Sequence, residues 1–424
     1  MPRLIIFAFT IFLVGCVSPE PRSGSILLTV VGSNDMHGEI AARAGTGGLE
    51  TFSGYLQVLR DQRGRSGGAV VLIDAGDMWQ GTLASNLSEG RAAVAAYNAL
   101  GYDAAALGNH EFDFGPAGPL AIPQHPTDDP RGALKQRAGE ARFPLLAANL
   151  VEKGSGQLVS WDNVEPSVLI SRAGVSVGIV GVMTARALEA TIAANVADLE
   201  VTPLAPAIER EARKLRRQGA DLVLVAAHAG GRCSLFDNPA DLSSCRPDSE
   251  IFQVARALPS GLVNQIIAGH VHQGIAHRVN GIAITSGYSN ARAFGRVDYQ
   301  IEPQTGTVLQ QIIYPPQPIE RNGSYEGQTI QPDRSIRAIA ARAQRRAEQV
   351  QSRPVGVELT QPFDLDGSPD SALGNLFNLA LYESLNVDVV IQNVVGACAR
   401  RCRPDLLPMV TCLRRFPSTT EWFA

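Results

Sequence analysis

The 424-residue sequence predicts an α/β layered fold from Ile26 to about Gln317. Three observations carry that expectation. Apolar runs of strand length alternate with helix-like stretches, the order of an α/β layered domain. Several of these runs end in short glycine-containing blocks of carboxylates, asparagine and histidine, and the carboxyl ends of strands are where open α/β sheets place ligands. Composition agrees: 45% hydrophobic and 18% charged residues suit a globular chain with room for two domains. A formal net charge of −4 gives no basic surface for neutralising a nucleic-acid backbone, so nucleic acid is not an expected partner.

In chain order, residues 1–15 read as a targeting signal. Met1-Pro2-Arg3 precedes an apolar run from Leu4 to Val14, about half the ~20 residues a membrane-spanning helix needs. Leu13-Val14-Gly15-Cys16 resembles a bacterial lipobox, so cleavage before Cys16 and acylation of its thiol are expected, with residues 16–25 as a tether. An ordinary secretory signal, with Cys16 as a core cysteine, is the alternative. Both export the chain, to the periplasm with a lipid anchor on the first reading, and both set an oxidising context for Cys233, Cys245, Cys398, Cys402 and Cys412. Cys233 and Cys245 flank a loop rich in Asp, Asn, Ser and Pro that a disulfide would restrain; a zinc site there is the weaker reading, because no CxxC pair or nearby extra histidine accompanies them.

Strands are expected at Ile26–Val31, Ala69–Ile73, Ala104–Leu107, Leu145–Asn149, Val175–Gly181, Leu222–Ala227, Asn264–Ala268 and Ile282–Ser286. Glu89–Leu100 reads as a helix. So does Pro203–Gly219, where Leu204, Ile208, Ala212 and Leu215 share a face and Gly219 stands where a helix cap belongs. The proline-rich stretch Tyr314-Pro315-Pro316-Gln317-Pro318 marks an expected boundary. It divides a first domain, 26–315, from a linker and connecting helix, 316–352, with the helix over Ser335–Gln351. A second domain, 353–424, is expected to open with a strand at Val355–Leu359.

The polar blocks are Asn34-Asp35-Met36-His37-Gly38, Gly76-Asp77, Gly108-Asn109-His110-Glu111 with Asp113, His228, and Gly269-His270-Val271-His272. Asp35 and His37, like His270 and His272, stand at i and i+2, so an extended turn lets both members address one ion. Asp77 follows a glycine at a strand end, where a carboxylate can bridge two ions about 3.5–4 Å apart. Asn109 offers a neutral oxygen that keeps the site from becoming too negative for a phosphate. Alone, Asp35 or Asp77 would more often be a turn or capping residue. Jointly the pattern is different: five of the seven histidines follow apolar runs, whereas His125 and His277 do not. Imidazole and carboxylate together suit two divalent ions, Zn, Mn, Fe or Co.

With these motifs, Ile26 to about Asp298 resembles the calcineurin-like metallophosphoesterase domain, specifically the 5′-nucleotidase and UDP-sugar hydrolase family. That resemblance implies a β-sandwich flanked by helices. It also implies that Asp35, His37, Asp77 and His272 hold one metal and that Asp77, Asn109, His228 and His270 hold the other. His110 and Asp113 would be the catalytic pair, and Asn109 and His110 would contact substrate. Glu111 reads as a structural residue. Val355 to Asn393 resembles the start of the family's C-terminal substrate domain, through Ser371–Leu376 and Val387–Asn393, with Asn393 a candidate substrate contact. After Asn393 the family pattern stops, and a reading-frame shift or a naturally shortened tail is expected from about 394. Phe363, Phe377 and Tyr382 are expected to pack in the core. The implied activity is hydrolysis of nucleoside 5′-monophosphates, nucleotide sugars or related small phosphate esters by an exported, monomeric enzyme. The alternatives are a phosphodiesterase or cyclic-nucleotide hydrolase on the same metal core, or an inactive truncated lipoprotein.

Overall fold

The computed structural model describes residues 24–354 and 372–384. Cys16, the expected strand at Val355–Leu359, Asn393, Cys398, Cys402 and Cys412 lie outside the described residues. Two sheets face each other. The seven-stranded sheet runs in space Val308–Pro318, Ala293–Ile301, Ile26–Ser33, Ala69–Asp74, Ala104–Ala106, Leu145–Leu146, Val164–Glu165. The six-stranded sheet runs Gly274–Val279, Ile282–Gly287, Gln265–Ala268, Leu222–His228, Val175–Met183, Ser167–Arg172. Strands that carry the polar blocks pair parallel with one another, Ile26–Ser33 with Ala69–Asp74 and Leu222–His228 with Gln265–Ala268. Antiparallel strands occupy the Val308 edge of one sheet and both edges of the other.

Period-2 alternation explains the layers. Leu28, Val30, Val71 and Ile73 point inward and meet Val177, Ile179, Leu222, Leu224 and Ile267 of the opposite sheet. Val31, Val70 and Leu72 point outward, under the helices Gly48–Arg65 and Arg91–Leu100. On the far side Val180, Val223, Val225 and Ile266 meet Leu204, Ile208, Ala212 and Leu215 of the helix Leu204–Arg217. Each fully buried Val or Leu contributes roughly 1.5–3 kcal/mol relative to exposure. The result is the helix-flanked β-sandwich.

Pro203 precedes the Leu204–Arg217 helix, Lys214, Arg216 and Arg217 fall in its last turn where the helix dipole favours cations, and Gly219 follows at φ 93°. The strand expected at Leu145–Asn149 is shorter, Leu145–Leu146. The strand Val308–Pro318 runs through the stretch where a boundary at 315 was expected. The helix expected at Ser335–Gln351, found at Arg334–Gln351, is more than a connector. Asp333 caps it by accepting from Ser335 N at 2.7 Å, and it buries Ile336, Ala340, Ala343 and Ala347, of which the first three join the core of the helices Gly48–Arg65 and Arg91–Leu100. Spacings of four, three and four residues put these side chains on one stripe, and the helices Gly48–Arg65 and Arg91–Leu100 pack against this helix. In the helix Ala372–Ser384, Tyr382 is 51% exposed, so it does not pack in a core as expected. Among the described residues no helix is long and apolar enough to cross a membrane.

Asp298 anchors the antiparallel edge. Its carboxylate accepts from Arg296 Nη2 at 2.6 Å, Thr29 Oγ1 at 2.7 Å and Tyr314 OH at 3.2 Å, with Arg63 Nη2 at 3.4 Å. All the polar blocks open from the carboxyl ends of parallel strands, at the end of the sandwich where the two sheets face each other.

Candidate metal centre

The loops after the strands Ile26–Ser33 and Ala69–Asp74 are joined backbone to backbone: Asp35 N donates to Gly76 O, His37 N to Asp77 O and Gly38 N to Met78 O, each at 2.9 Å. This pairing holds conformations that L-residues avoid. Asp35 (φ 49°), His37 (48°), Asp77 (60°), His270 (72°) and His272 (59°) all lie in the left-handed region, where a non-glycine residue costs of order 1–3 kcal/mol and persists only if its surroundings impose it. Five such residues in one pocket mark a site whose geometry outranks local preference. Glycine is required beside them: a side chain on Gly108 would overlap the Asp77 carboxylate, and one on Gly76 would come within 2.9 Å of His228 Nδ1.

Buried Glu111 ties these loops together. Its carboxylate accepts from Asp77 N and Met78 N at 2.8 Å and from Gly108 N at 2.7 Å, so it shapes the loop rather than pointing into the site. Asn34 has a similar task, donating to Asp35 Oδ2 at 2.6 Å and accepting from Gly287 N at 2.8 Å.

Ligand atoms of Asp35, His37, Asp77 and His272 lie within 4.8 Å of one another. His37 Nδ1 faces the Gln80 carbonyl at 3.0 Å and must donate to it, which leaves Nε2 with a lone pair, directed at His272 Nε2 3.0 Å away. His272 Nε2 is 3.4 Å from Asp35 Oδ1. A second group repeats this chemistry. His228 Nδ1 donates to the Ala75 carbonyl at 2.9 Å, so its Nε2 lone pair faces Asn109 Oδ1 at 3.0 Å, Asp77 Oδ2 at 3.2 Å and His270 Nδ1 at 3.3 Å. Asn109 donates its amide to Ala190 O at 2.8 Å, which aims Oδ1 at the same point, 3.1 Å from His270 Nδ1. Acceptors facing acceptors require a cation between them, either a proton or a metal. The mix of imidazole nitrogen, carboxylate and amide oxygen fits divalent ions, with Asp77 common to both groups.

Electrostatics agree. Burial lowers the pKa of His37 and His270 to about 4, so both stay neutral and able to ligate. Burial would also lower His228, but Asp77 more than offsets it and holds the imidazole at about 10. Asp77, against its burial, is held well below the usual carboxylate range by His228 and His110.

His110 stands beside these groups. Its backbone N donates to Asp77 Oδ1 at 2.9 Å, and its ring lies 5.3 Å from that of His37. Its Nδ1 pairs with Asp113 Oδ2 at 2.5 Å, while Thr191 donates to the other Asp113 oxygen at 2.7 Å. Burial opposes protonation of His110, but Asp77 and Asp113 raise its pKa to about 9. Asp35, His37, Asp77, Asn109, His228, His270, His272, His110 and Asp113 therefore meet in one place. Asn34, Thr191 and the Ala190 carbonyl join the site without having been singled out by sequence. Asn34 at least sits inside a motif, whereas nothing in the sequence marks Thr191. Elsewhere, Cys233 and Cys245 are joined in a disulfide, and His277, distant in sequence, lies against them.

The family model for calcineurin-like phosphoesterases matches residues 28–274. An endonuclease, YhcR, from Bacillus subtilis is 28% identical over 393 residues, covering 87% of this chain and 29% of that protein. A snake venom 5′-nucleotidase from Gloydius brevicauda is 32% identical over 226 residues, covering 51% of this chain and 35% of that protein. The chain thus spans about a third of the length of these curated relatives. A 5′-nucleotidase precursor from Thermus thermophilus superposes with a TM-score of 0.61 at 20% identity, covering 89% of this chain and 71% of that one.

Proposed function

From the premise that the chain belongs to the calcineurin-like phosphoesterase family, we propose that it is an exported dinuclear-metal phosphohydrolase of 5′-nucleotidase type, acting on nucleoside 5′-monophosphates, nucleotide sugars or related small phosphate esters. The observation that carries this reading is the pair of imidazole–acceptor clusters that share Asp77. Asp35, His37, Asp77 and His272 would hold one ion, and Asp77, Asn109, His228 and His270 the other. When bound, such ions neutralise phosphate oxygens and bring the pKa of a coordinated water towards neutrality. The chain's own residues do the rest. His110, protonated and fixed by Asp113, presents Nε2–H to the leaving oxygen and hands it a proton. Asn109, adjoining His110, helps to orient the phosphate. Glu111 and Asn34 keep the loops from relaxing out of their strained conformations.

Cys16 would carry the lipid anchor, and Asn393 would belong to the substrate-binding half that follows. A second reading, phosphodiester hydrolysis on the same centre, is favoured by the similarity to YhcR across most of the chain. Phosphate release from AMP, compared with cleavage of a bis-ester and with cyclic AMP, each with and without chelator, tests the proposal. Chelator-sensitive release from AMP supports it. Cleavage of the bis-ester alone replaces it with the second reading, and no release from any substrate refutes both.

A further inference from the structure

The Cys233–Cys245 disulfide has an unusual neighbour. His277, from the strand Gly274–Val279, packs against it, and ligand atoms of the three residues lie within 4.8 Å of one another. Cys233 is 5% exposed, Cys245 8% and His277 1%. Neither ring nitrogen of His277 makes a hydrogen bond of full geometry, although the backbone at Leu235 and Pro239 lies close enough to favour its protonation. A buried imidazole without a well-formed hydrogen bond forfeits polar interaction, so this side chain is poised for a partner that the oxidised pair does not supply. Two cysteines twelve residues apart and a histidine from another strand offer two sulfurs and one nitrogen as donors, the chemistry of a zinc site with an open fourth position.

We propose that reduction of the Cys233–Cys245 disulfide converts this spot into a zinc site ligated by Cys233, Cys245 and His277, separate from the catalytic centre. The step balances. A dithiol gives two electrons and two protons to the Cys233–Cys245 bond and itself closes to a disulfide. Zinc then displaces one proton from each new thiol to solvent, while His277 ligates as neutral imidazole, and water takes the fourth position. Thiolates at about 2.3 Å and imidazole at about 2.0–2.1 Å from zinc require the two sulfurs to move apart, a movement that falls on the loop between them. Leu235 in that loop is 60% exposed, while the three ligand side chains themselves are buried. The consequence is that the loop between the strand bearing His228 and the helix Glu250–Ala257 stays cross-linked in either redox state, by a disulfide or by a metal.

The test uses the full chain, reduced with a dithiol, desalted under nitrogen and titrated with cobalt(II), against the oxidised protein. The catalytic cluster contains no sulfur, so a thiolate-to-cobalt charge-transfer band reports on cysteine alone. The expected result is such a band in the reduced protein, absent from the oxidised protein, abolished in Cys233→Ser and weakened roughly tenfold or more in affinity in His277→Ala. A thermal transition on each variant separates ligand loss from unfolding. No band on reduction overturns the proposal, and so does a band unchanged in folded Cys233→Ser, which assigns it to other cysteines. A folded His277→Ala that binds cobalt as tightly as the parent removes the histidine from the site and overturns the three-ligand proposal.

Discussion

Asp113→Ala, set beside Asp113→Asn and His110→Ala, separates catalysis from metal holding. Asp113 touches no atom of the two ligand clusters; it accepts from His110 Nδ1 at 2.5 Å and from Thr191 at 2.7 Å. Removing a hydrogen bond to a charged partner costs about 1.5–3 kcal/mol. If all of it is expressed in the transition state, kcat falls about 10- to 150-fold. Asparagine keeps an acceptor and loses only the charge, a difference of about 1–1.5 kcal/mol, so Asp113→Asn should fall roughly 5- to 15-fold. His110→Ala removes the proton donor itself and should cost about 100- to 10,000-fold. Because Asp113 acts through His110, the double variant should be scarcely slower than His110→Ala. Steady-state phosphate release measures the rates, and elemental analysis of each variant should return the parental metal content. Metal loss in His110→Ala, or full additivity in the double variant, would refute these roles.

Metal affinity should rise with pH. His228 is held protonated up to about pH 10 in the metal-free site, and a ligating imidazole must be neutral. Binding therefore expels at least one proton, and apparent affinity should climb about tenfold per pH unit below that value; a pH-independent competition titration would contradict this. The same raised values set the sign for stability of the metal-free chain. With His228 at about 10 and His110 at about 9, against 6.5 unfolded, their stabilisation is complete below pH 6.5 and is lost as pH rises through 9 and 10, which thermal melts after chelation would show. Glu111→Gln places an amide donor against one of the three backbone N–H groups that the carboxylate accepts. It should weaken metal binding about 10- to 100-fold while the protein stays folded. Asp298→Ala removes one of the two carboxylates that hold buried Arg296 and Arg63, leaving them Glu326 as their other partner, and should lower unfolding free energy by about 3–5 kcal/mol in urea; a change below about 1 kcal/mol would show that Glu326 compensates alone.

Much of the site was legible because metal chemistry restricts residue types more tightly than packing does. Asp35, His37, Asp77, His270 and His272 stand in short motifs after strands, and the strands follow from period-2 burial. The left-handed backbone at these five residues left no sequence trace, since only their neighbouring glycines advertise turns. The helix Gly48–Arg65 and the antiparallel strands Ala293–Ile301 and Val308–Pro318 also escaped, because charged and polar residues interrupt their apolar pattern. Arg296 and Asp298 look like surface residues until Arg63 and Tyr314 are seen to enclose them. The proline-rich stretch Tyr314–Pro318 read as a boundary, yet it ends a strand at the edge of its sheet, where a missing N–H is tolerated. His277 shows the same limit. Sequence adjacency suggested no histidine near Cys233 and Cys245, and strand pairing brought one to them.

The most direct test is metal stoichiometry coupled to turnover. The chain, stripped by chelator and titrated with manganese or zinc under oxidising conditions, should recover phosphate release from AMP only as the second equivalent binds, and Asp77→Asn should lose both tight equivalents together. Full activity with one ion or none, or an Asp77→Asn variant that keeps two, would contradict a centre built on a shared carboxylate.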